Sequence, residues 1–131
     1  MPGSGLVEPM DNCLPGKRVL VVEDNAALAY DIDDALRDSG VMVVGPALDL
    51  DSGMALIRED ALDGAVLDID IGGRPVWPIA RELKQDGVPF VFVSADCDKG
   101  LPEDFTGAVC LAKPAPTDKI LTTVAAVIGG R

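Results

Sequence analysis

The chain has 131 residues, enough for one domain with an ordinary hydrophobic core, and its formal net charge is −11. Such an acidic composition excludes a nucleic-acid surface, which needs clustered Lys and Arg. The lack of any histidine excludes Ser-His-Asp and Cys-His catalysis, His-ligated zinc and a phosphohistidine on this chain. Without a recognisable signal peptide or an apolar run that could cross a bilayer, we expect a cytoplasmic protein that binds neither membrane nor nucleic acid.

The beginning of the chain differs in composition from the rest. Residues 1–17, MPGSGLVEPMDNCLPGK, are rich in Pro and Gly and show no hydrophobic period, so we predict a mobile arm followed by one domain over residues 18–131. The three cysteines, Cys13, Cys97 and Cys110, have neither metal-ligand nor redox-motif spacing. We interpret them as reduced, structural thiols.

Short apolar strands then alternate with amphipathic helices. The predicted strands are 18–22, 41–45, 64–69, 89–94 and 108–112, and helical stripes lie in 24–40, 48–60, 74–87 and 117–128. The strands are continuous apolar runs, which is typical of a parallel sheet buried on both faces. Between the last two strands, ADCDKGLPEDFTG has poor apolar spacing and predicts a short helix or an irregular loop.

Polar side chains follow four of the predicted strands. In open α/β sheets, ligands bind outside the carboxyl ends of the strands, so these side chains are expected to converge. They are Glu23 and Asp24 at the end of strand one, Asp68 at the end of strand three with Asp70 two residues on, Ser94 at the end of strand four, and Lys113 at the end of strand five. Taken singly, each has a simpler interpretation, such as an acidic pair at a helix N-terminus or a carboxylate that binds loop amides.

Taken together, these side chains predict a metal-assisted phosphoryl site. Three carboxylates brought close cannot all stay ionised without a cation, and oxygen ligands favour Mg²⁺ or Mn²⁺. Asp68 could then attack phosphorus, while Lys113 supplies a positive charge and Ser94 a hydrogen bond to a phosphoryl oxygen. The backbone carbonyl of Asp70 is placed to reach the metal.

From about residue 18 to residue 128 the sequence resembles the receiver domain of two-component response regulators, of the stand-alone, single-domain type. The matching segments are VVEDN, VLDIDIGG, VFVSA and LAKPA. The resemblance implies a doubly wound, flavodoxin-like α/β fold with a five-stranded parallel sheet in the order 2-1-3-4-5 and a short or irregular fourth helix. It also implies roles: Glu23 and Asp24 as Mg²⁺ ligands, Asp68 as phosphoacceptor, Ser94 as switch hydroxyl, Lys113 as phosphate-binding lysine, and a cis Lys113–Pro114 bond.

Three positions depart from the pattern of this family. Cys110 stands three residues before Lys113, where receivers commonly carry Tyr or Phe. Asp70 stands where Asn is frequent, and Ala115 follows the Lys-Pro pair in place of an aromatic residue. The resemblance therefore does not carry over the usual coupling between the switch hydroxyl and an inward-turning ring.

The resemblance implies a protein that accepts phosphate from a histidine kinase or a histidine phosphotransfer protein. The phosphorylated form would signal to a separate downstream protein, or act as a phosphate relay or sink, without being an enzyme for an external substrate. Two alternatives stay open: a pseudo-receiver that binds partners without phosphorylation, and a small phosphatase that uses the Asp-x-Asp of DID. A homodimer is also left open.

Overall fold

Five parallel strands form the central sheet of the chain, which the computed structural model describes over residues 14–59 and 61–129. Four helices flank the sheet, and a two-stranded hairpin follows its third strand. The strands of the sheet are β1 (Arg18–Val22), β2 (Met42–Ala47), β3 (Gly64–Leu67), β6 (Phe90–Ser94) and β7 (Val109–Ala112), and those of the hairpin are β4 (Asp70–Ile71) and β5 (Arg74–Pro75). The helices are α1 (Ala26–Asp38), α2 (Leu50–Glu59), α3 (Trp77–Gln85) and α4 (Thr117–Gly129).

The sheet has the order β2-β1-β3-β6-β7, and all its neighbouring strands pair in parallel. This confirms the predicted 2-1-3-4-5 arrangement. The register aligns the ends of the inner strands, since Val22 lies opposite Leu67 and Ser94 lies opposite Ala112. The residues that follow β1, β3, β6 and β7 are therefore delivered to the same edge.

Both faces of the sheet are buried, as continuous apolar strands require. Along β1, Leu20 and Val22 belong to one hydrophobic cluster, while Val19 and Val21 belong to a cluster on the opposite face. All four side chains have no solvent-accessible surface. Within the described residues, no helix combines the length and the apolar content that a bilayer crossing needs.

The segment between β6 and β7 contains two 3₁₀ turns, Cys97–Lys99 and Glu103–Phe105, in place of a regular helix. This confirms the expectation of a short or irregular fourth helix. Phe105, only 2% exposed, anchors the segment. Its ring stacks on Trp77 at a centroid distance of 5.5 Å and meets the edge of Phe92 at 5.8 Å.

Two of the three cysteines are joined, so their interpretation as reduced thiols is wrong. Cys97 and Cys110 form a disulfide, and their Cα atoms lie 5.8 Å apart. The bond forms because the 3₁₀ turn after β6 folds back against β7, the neighbouring strand. Spacing along the chain gave no sign of this proximity, which depends on the pairing of the two strands. Cys13 lies outside the described residues.

The last four residues of the predicted arm pack against the domain. Leu14 is 3% exposed and belongs to the same cluster as Val19 and Val21. The N–H of Gly16 donates to the carbonyl of Gly40 at 2.9 Å. Assigning residues 14–17 to a mobile arm was therefore wrong, because a buried leucine ties them to the core; residues 1–13 lie outside the described part.

Truncating Leu14 tests this anchoring. We expect Leu14→Ala to lower the free energy of unfolding by about 2–5 kcal/mol, because the change removes a buried side chain and leaves a cavity. Leu48→Ala is the matched control, since Leu48 is 36% exposed and its truncation should cost less than about 0.5 kcal/mol. Urea unfolding measures both values. Equal midpoints for the two variants would contradict the packing of residue 14.

Candidate functional site

Asp68 stands at the point where β3 leaves the sheet. Its N–H donates to the carbonyl of Val22 at 2.9 Å, which holds it level with the end of β1. The residue is only 6% exposed. Its Oδ2 lies 3.0 Å from the Lys113 Nζ, and its Oδ1 lies 3.4 Å from the N–H of Asp70. One oxygen of this buried carboxylate is thus paired with the Lys113 ammonium, and the other makes only a long contact with the N–H of Asp70.

Glu23 follows β1 and is even more deeply buried, at 2% exposure. Its Oε1 lies 2.9 Å from the Lys113 Nζ, and its Oε2 accepts from the N–H of Asn25 at 3.0 Å. Burial raises the pKa of Glu23 to about 7, and the nearby Asp68 adds to the rise, while Asn25 and Lys113 oppose it. A charge at Glu23 therefore needs compensation by a cation.

Asp24 is exposed, and the hairpin loop fixes its orientation. Its Oδ2 accepts from the N–H of Gly72 at 2.9 Å. Gly72 and Gly73 have φ values of +62° and +85°, which favour glycine, so the double glycine lets the loop turn its N–H toward Asp24. Slight burial acts to raise the pKa of Asp24, but the Gly72 N–H, Glu23, the residue's own N–H and Lys113 together outweigh it, and the pKa lies below its ordinary value.

Lys113 joins the two buried carboxylates. It follows β7, its N–H donates to the Ser94 carbonyl at 2.9 Å, and its side chain reaches both Glu23 and Asp68. Partial burial acts to lower the pKa of Lys113, but the two carboxylates outweigh it and the pKa is raised. The ammonium is therefore held in its charged form. The Lys113–Pro114 peptide bond is cis, as the resemblance implies.

Three carboxylates meet at this edge in an arrangement that fits a divalent cation. Glu23, Asp24 and Asp68 each offer an oxygen, and these oxygens lie within 4.8 Å of one another. Hard oxygen donors of this kind suit Mg²⁺ or Mn²⁺. Lys113 brings one positive charge against three negative ones, so the cluster keeps a formal excess of two negative charges for an ion to neutralise.

Ser94 and Asp70 lie at the margins of this cluster. Ser94 ends β6, is 1% exposed, and its Oγ accepts from the N–H of Asp96 at 3.0 Å. Its hydroxyl is thus engaged with its own loop. Asp70 is exposed, and its carboxylate accepts from the N–H of Gly73 at 2.9 Å. The role of its backbone carbonyl as a metal ligand stays a prediction.

Sequence reasoning missed the groups that hold these side chains in place. Asn25 caps α1, since its side chain accepts from the N–H of Leu28. Its own N–H, however, also binds Glu23. The N–H of Gly72 was missed as a partner for Asp24, because backbone donors leave no sign in the residue type. The bond between Cys97 and Cys110 was missed too.

The charged groups at this edge of the sheet determine which chemistry is possible there. A buried carboxylate with an ammonium 3.0 Å away, next to a cluster able to hold a divalent cation, is suited to attack a phosphorus atom. The attack would build negative charge beside Asp68, where Lys113 and the cation can offset it. The same groups would repel a free carboxylate ligand.

Comparisons of the sequence with known proteins are negative. No protein-family model matches the chain, and no curated protein shows significant sequence similarity to it. Identification of the fold therefore depends on the arrangement of the strands and helices.

Comparison with solved structures gives strong matches. The receiver domain of the PhyR response regulator from Erythrobacter litoralis is 20% identical with a TM-score of 0.78, covering 88% of this chain and 92% of that one. SdrG from Sphingomonas melonis Fr1 is 26% identical with a TM-score of 0.73, covering 86% and 96%. PhyR from Brucella abortus is 21% identical with a TM-score of 0.79, and the match covers 92% of this chain but 51% of that protein. The chain therefore has the receiver fold of two-component response regulators.

Proposed function

We propose that this protein is a phosphoacceptor receiver, in which Asp68 takes a phosphoryl group from a phosphohistidine of a sensor kinase or histidine phosphotransfer protein. The single observation that carries the proposal is the position of the Lys113 ammonium, 3.0 Å from Asp68 and 2.9 Å from Glu23, within a cluster of three carboxylates. The donor histidine belongs to another protein, because this chain contains none.

The transfer step follows from the groups around Asp68. A carboxylate oxygen of Asp68 attacks phosphorus, the phosphorus–nitrogen bond of the donor breaks, and its electron pair stays on the imidazole nitrogen. Lys113, paired with Asp68 at the outset, can turn its ammonium to the phosphoryl oxygens that arrive on that same carboxylate. Ser94 lies on the strand next to β3, and its hydroxyl, which accepts from the Asp96 amide, can still donate its own proton to a phosphoryl oxygen.

The carboxylates of Glu23, Asp24 and Asp68, with the backbone carbonyl of Asp70, would hold Mg²⁺ or Mn²⁺. The bound ion would offset the charge on the phosphoryl oxygens as the bond to Asp68 forms. Asp24 also accepts from the Gly72 amide, so the carboxylate that would face an ion is the one that contacts the hairpin loop. Metal binding would therefore also act on the hairpin loop.

The phosphoryl group would serve as a signal. Two-state receivers respond when added charge shifts nearby loops between two populations, and here Ser94 ends β6 while Lys113 follows β7, each next to such a loop. A separate partner protein would read that surface, or the chain would act as a relay or sink. In this proposal the protein works in the cytoplasm and catalyses its own phosphorylation and dephosphorylation without turning over an external metabolite.

Asp68→Asn tests the acceptor. Incubation with acetyl phosphate and Mg²⁺ should add one phosphoryl group to the wild-type protein, seen by intact-mass spectrometry, and none to Asp68→Asn, because the amide cannot act as a nucleophile. Asp70→Asn is the matched control. Its carboxylate is exposed and lies two residues away, so this variant should still be labelled.

The labelling experiment, together with an assay of phosphate release, decides between the candidate functions. Equal labelling of wild type and Asp68→Asn would place the acceptor elsewhere. No labelling of the wild type in the presence of Mg²⁺ would favour a pseudo-receiver. Steady release of phosphate from a generic phosphoester would favour the Asp-x-Asp phosphatase instead.

Binding of the metal should stabilise the fold. An ion present at about 100 times its dissociation constant adds about 2.7 kcal/mol to the free energy of unfolding, so the melting temperature should fall when Mg²⁺ is removed with a chelator. Glu23→Gln and Asp24→Asn should each reduce that Mg²⁺-dependent shift, because each removes one of the clustered carboxylates.

Asp34→Asn is the control for this measurement, since Asp34 is an exposed carboxylate on α1 outside the cluster. Its Mg²⁺-dependent shift should equal that of the wild type. A melting temperature that does not respond to Mg²⁺ over a broad concentration range would contradict a shared metal site.

A further inference from the structure

The disulfide joins the two chain segments that carry Ser94 and Lys113. Cys97 comes three residues after Ser94, and Cys110 comes three residues before Lys113. Ser94 and Lys113 are themselves linked, since the Lys113 N–H donates to the Ser94 carbonyl at 2.9 Å. The disulfide and this hydrogen bond therefore both connect the chain around the start of the short loop after β6 to β7 and the residue that follows it.

The bond restrains the loop on which the Ser94 hydroxyl depends. The hydroxyl accepts from the N–H of Asp96, and the Sγ of Cys97 lies 3.7 Å from the Ser94 carbonyl oxygen. A hydroxyl that accepts from an amide can still donate its own proton, so Ser94 can offer that proton to a group on Asp68 once residues 95–97 adjust the position of its oxygen. A covalent tie from residue 97 to β7 limits that adjustment.

The connection around the bond also has other supports. Strand β7 is paired with β6 at four positions, from Val91–Val109 to Ser94–Ala112. Phe105, in the middle of the connection, is buried against Trp77 and Phe92. With the bond open, the sheet and the aromatic contacts would keep the connection in place, while the turn at Cys97–Lys99 would gain freedom.

The bond also lies where a reductant can approach. Cys97 and Cys110 are both partly exposed, and Ala95, Asp98 and Lys99 around them are exposed. Disulfides in the reducing cytoplasm are mostly transient or redox-sensing, so in the compartment proposed above a bond at this place would open and close.

We propose that Cys97 and Cys110 form a reversible thiol–disulfide site whose state controls the movement of the Ser94 loop and, through it, the rate at which Asp68 gains phosphate. The effect on phosphate rests on the proposed function, whereas the effect on the loop does not. Closed, the bond restrains residues 95–97 and with them the position of the Ser94 hydroxyl; open, it lets the hydroxyl move toward a phosphoryl group on Asp68.

The redox step is an exchange with a dithiol. A thiolate of the dithiol attacks one bridge sulfur, which forms a mixed disulfide and releases the other cysteine as a thiolate. The second thiol of the reductant then attacks the mixed disulfide and releases the remaining cysteine. Two electrons pass to the protein, its two sulfurs take up two protons, and the reductant leaves as a disulfide.

The first test follows the loop without any phosphate. In a Cys13→Ser background, the oxidised protein and the protein reduced with dithiothreitol are compared by thiol titration and by amide hydrogen exchange. We expect two titratable thiols only after reduction, and exchange in residues 95–99 faster by about tenfold or more, with α1 unchanged. Two free thiols under oxidising conditions, or identical exchange in the two states, would overturn the proposal.

The second test follows phosphate. With acetyl phosphate and Mg²⁺, the reduced protein should be labelled at least about threefold faster than the oxidised protein, equivalent to about 0.65 kcal/mol in activation free energy. The double variant Cys97→Ser/Cys110→Ser should match the reduced protein in both buffers, and circular dichroism checks its fold. Equal rates for the two redox states, or a double variant that still responds to dithiothreitol, would overturn the control of phosphorylation. If neither state is labelled, the proposed function fails, and the exchange experiment still decides the effect on the loop.

Discussion

The candidate site depends on one ammonium group placed between two buried carboxylates. Glu23 and Asp68 are 2% and 6% exposed, and removing two negative charges from water at one edge of a sheet is costly unless a positive charge compensates them. Lys113 provides that charge, at 2.9 Å and 3.0 Å. The ammonium therefore allows the two buried carboxylates to lie side by side at the strand ends. A ligand that enters the site meets this arrangement of charges.

The surrounding backbone sets the remaining geometry. Asn25 and Gly72 donate backbone N–H groups to Glu23 and Asp24, so one acidic residue is held inward and the next is held toward the hairpin loop. Adjacent residues in the chain thereby face different environments, and the pKa is raised for Glu23 and lowered for Asp24. The loop after β3 takes part in this division through the N–H of Gly72.

The convergence of the site residues could be predicted from sequence, and the reason is geometric. Parallel strands end at the same edge, so polar residues after successive apolar runs must meet there, as Asp68 and Lys113 do. What could not be predicted depends on pairing in three dimensions. The proximity of Cys97 to Cys110 arises from the fold-back onto β7, and Leu14 is buried by residues far along the chain, so neither is visible in a local pattern.

The ion pairs of Lys113 have a consequence for folding during synthesis on the ribosome. In the sequence, Asp68 lies 45 positions before Lys113, and Glu23 lies 90 positions before it (113 − 23). Contacts between residues so far apart in the sequence form late in folding, because the chain between them must first become ordered. A nascent chain that has not yet released β7 lacks the ammonium altogether. Recognition of this cluster of charges thus requires a chain that has been synthesised at least as far as residue 113.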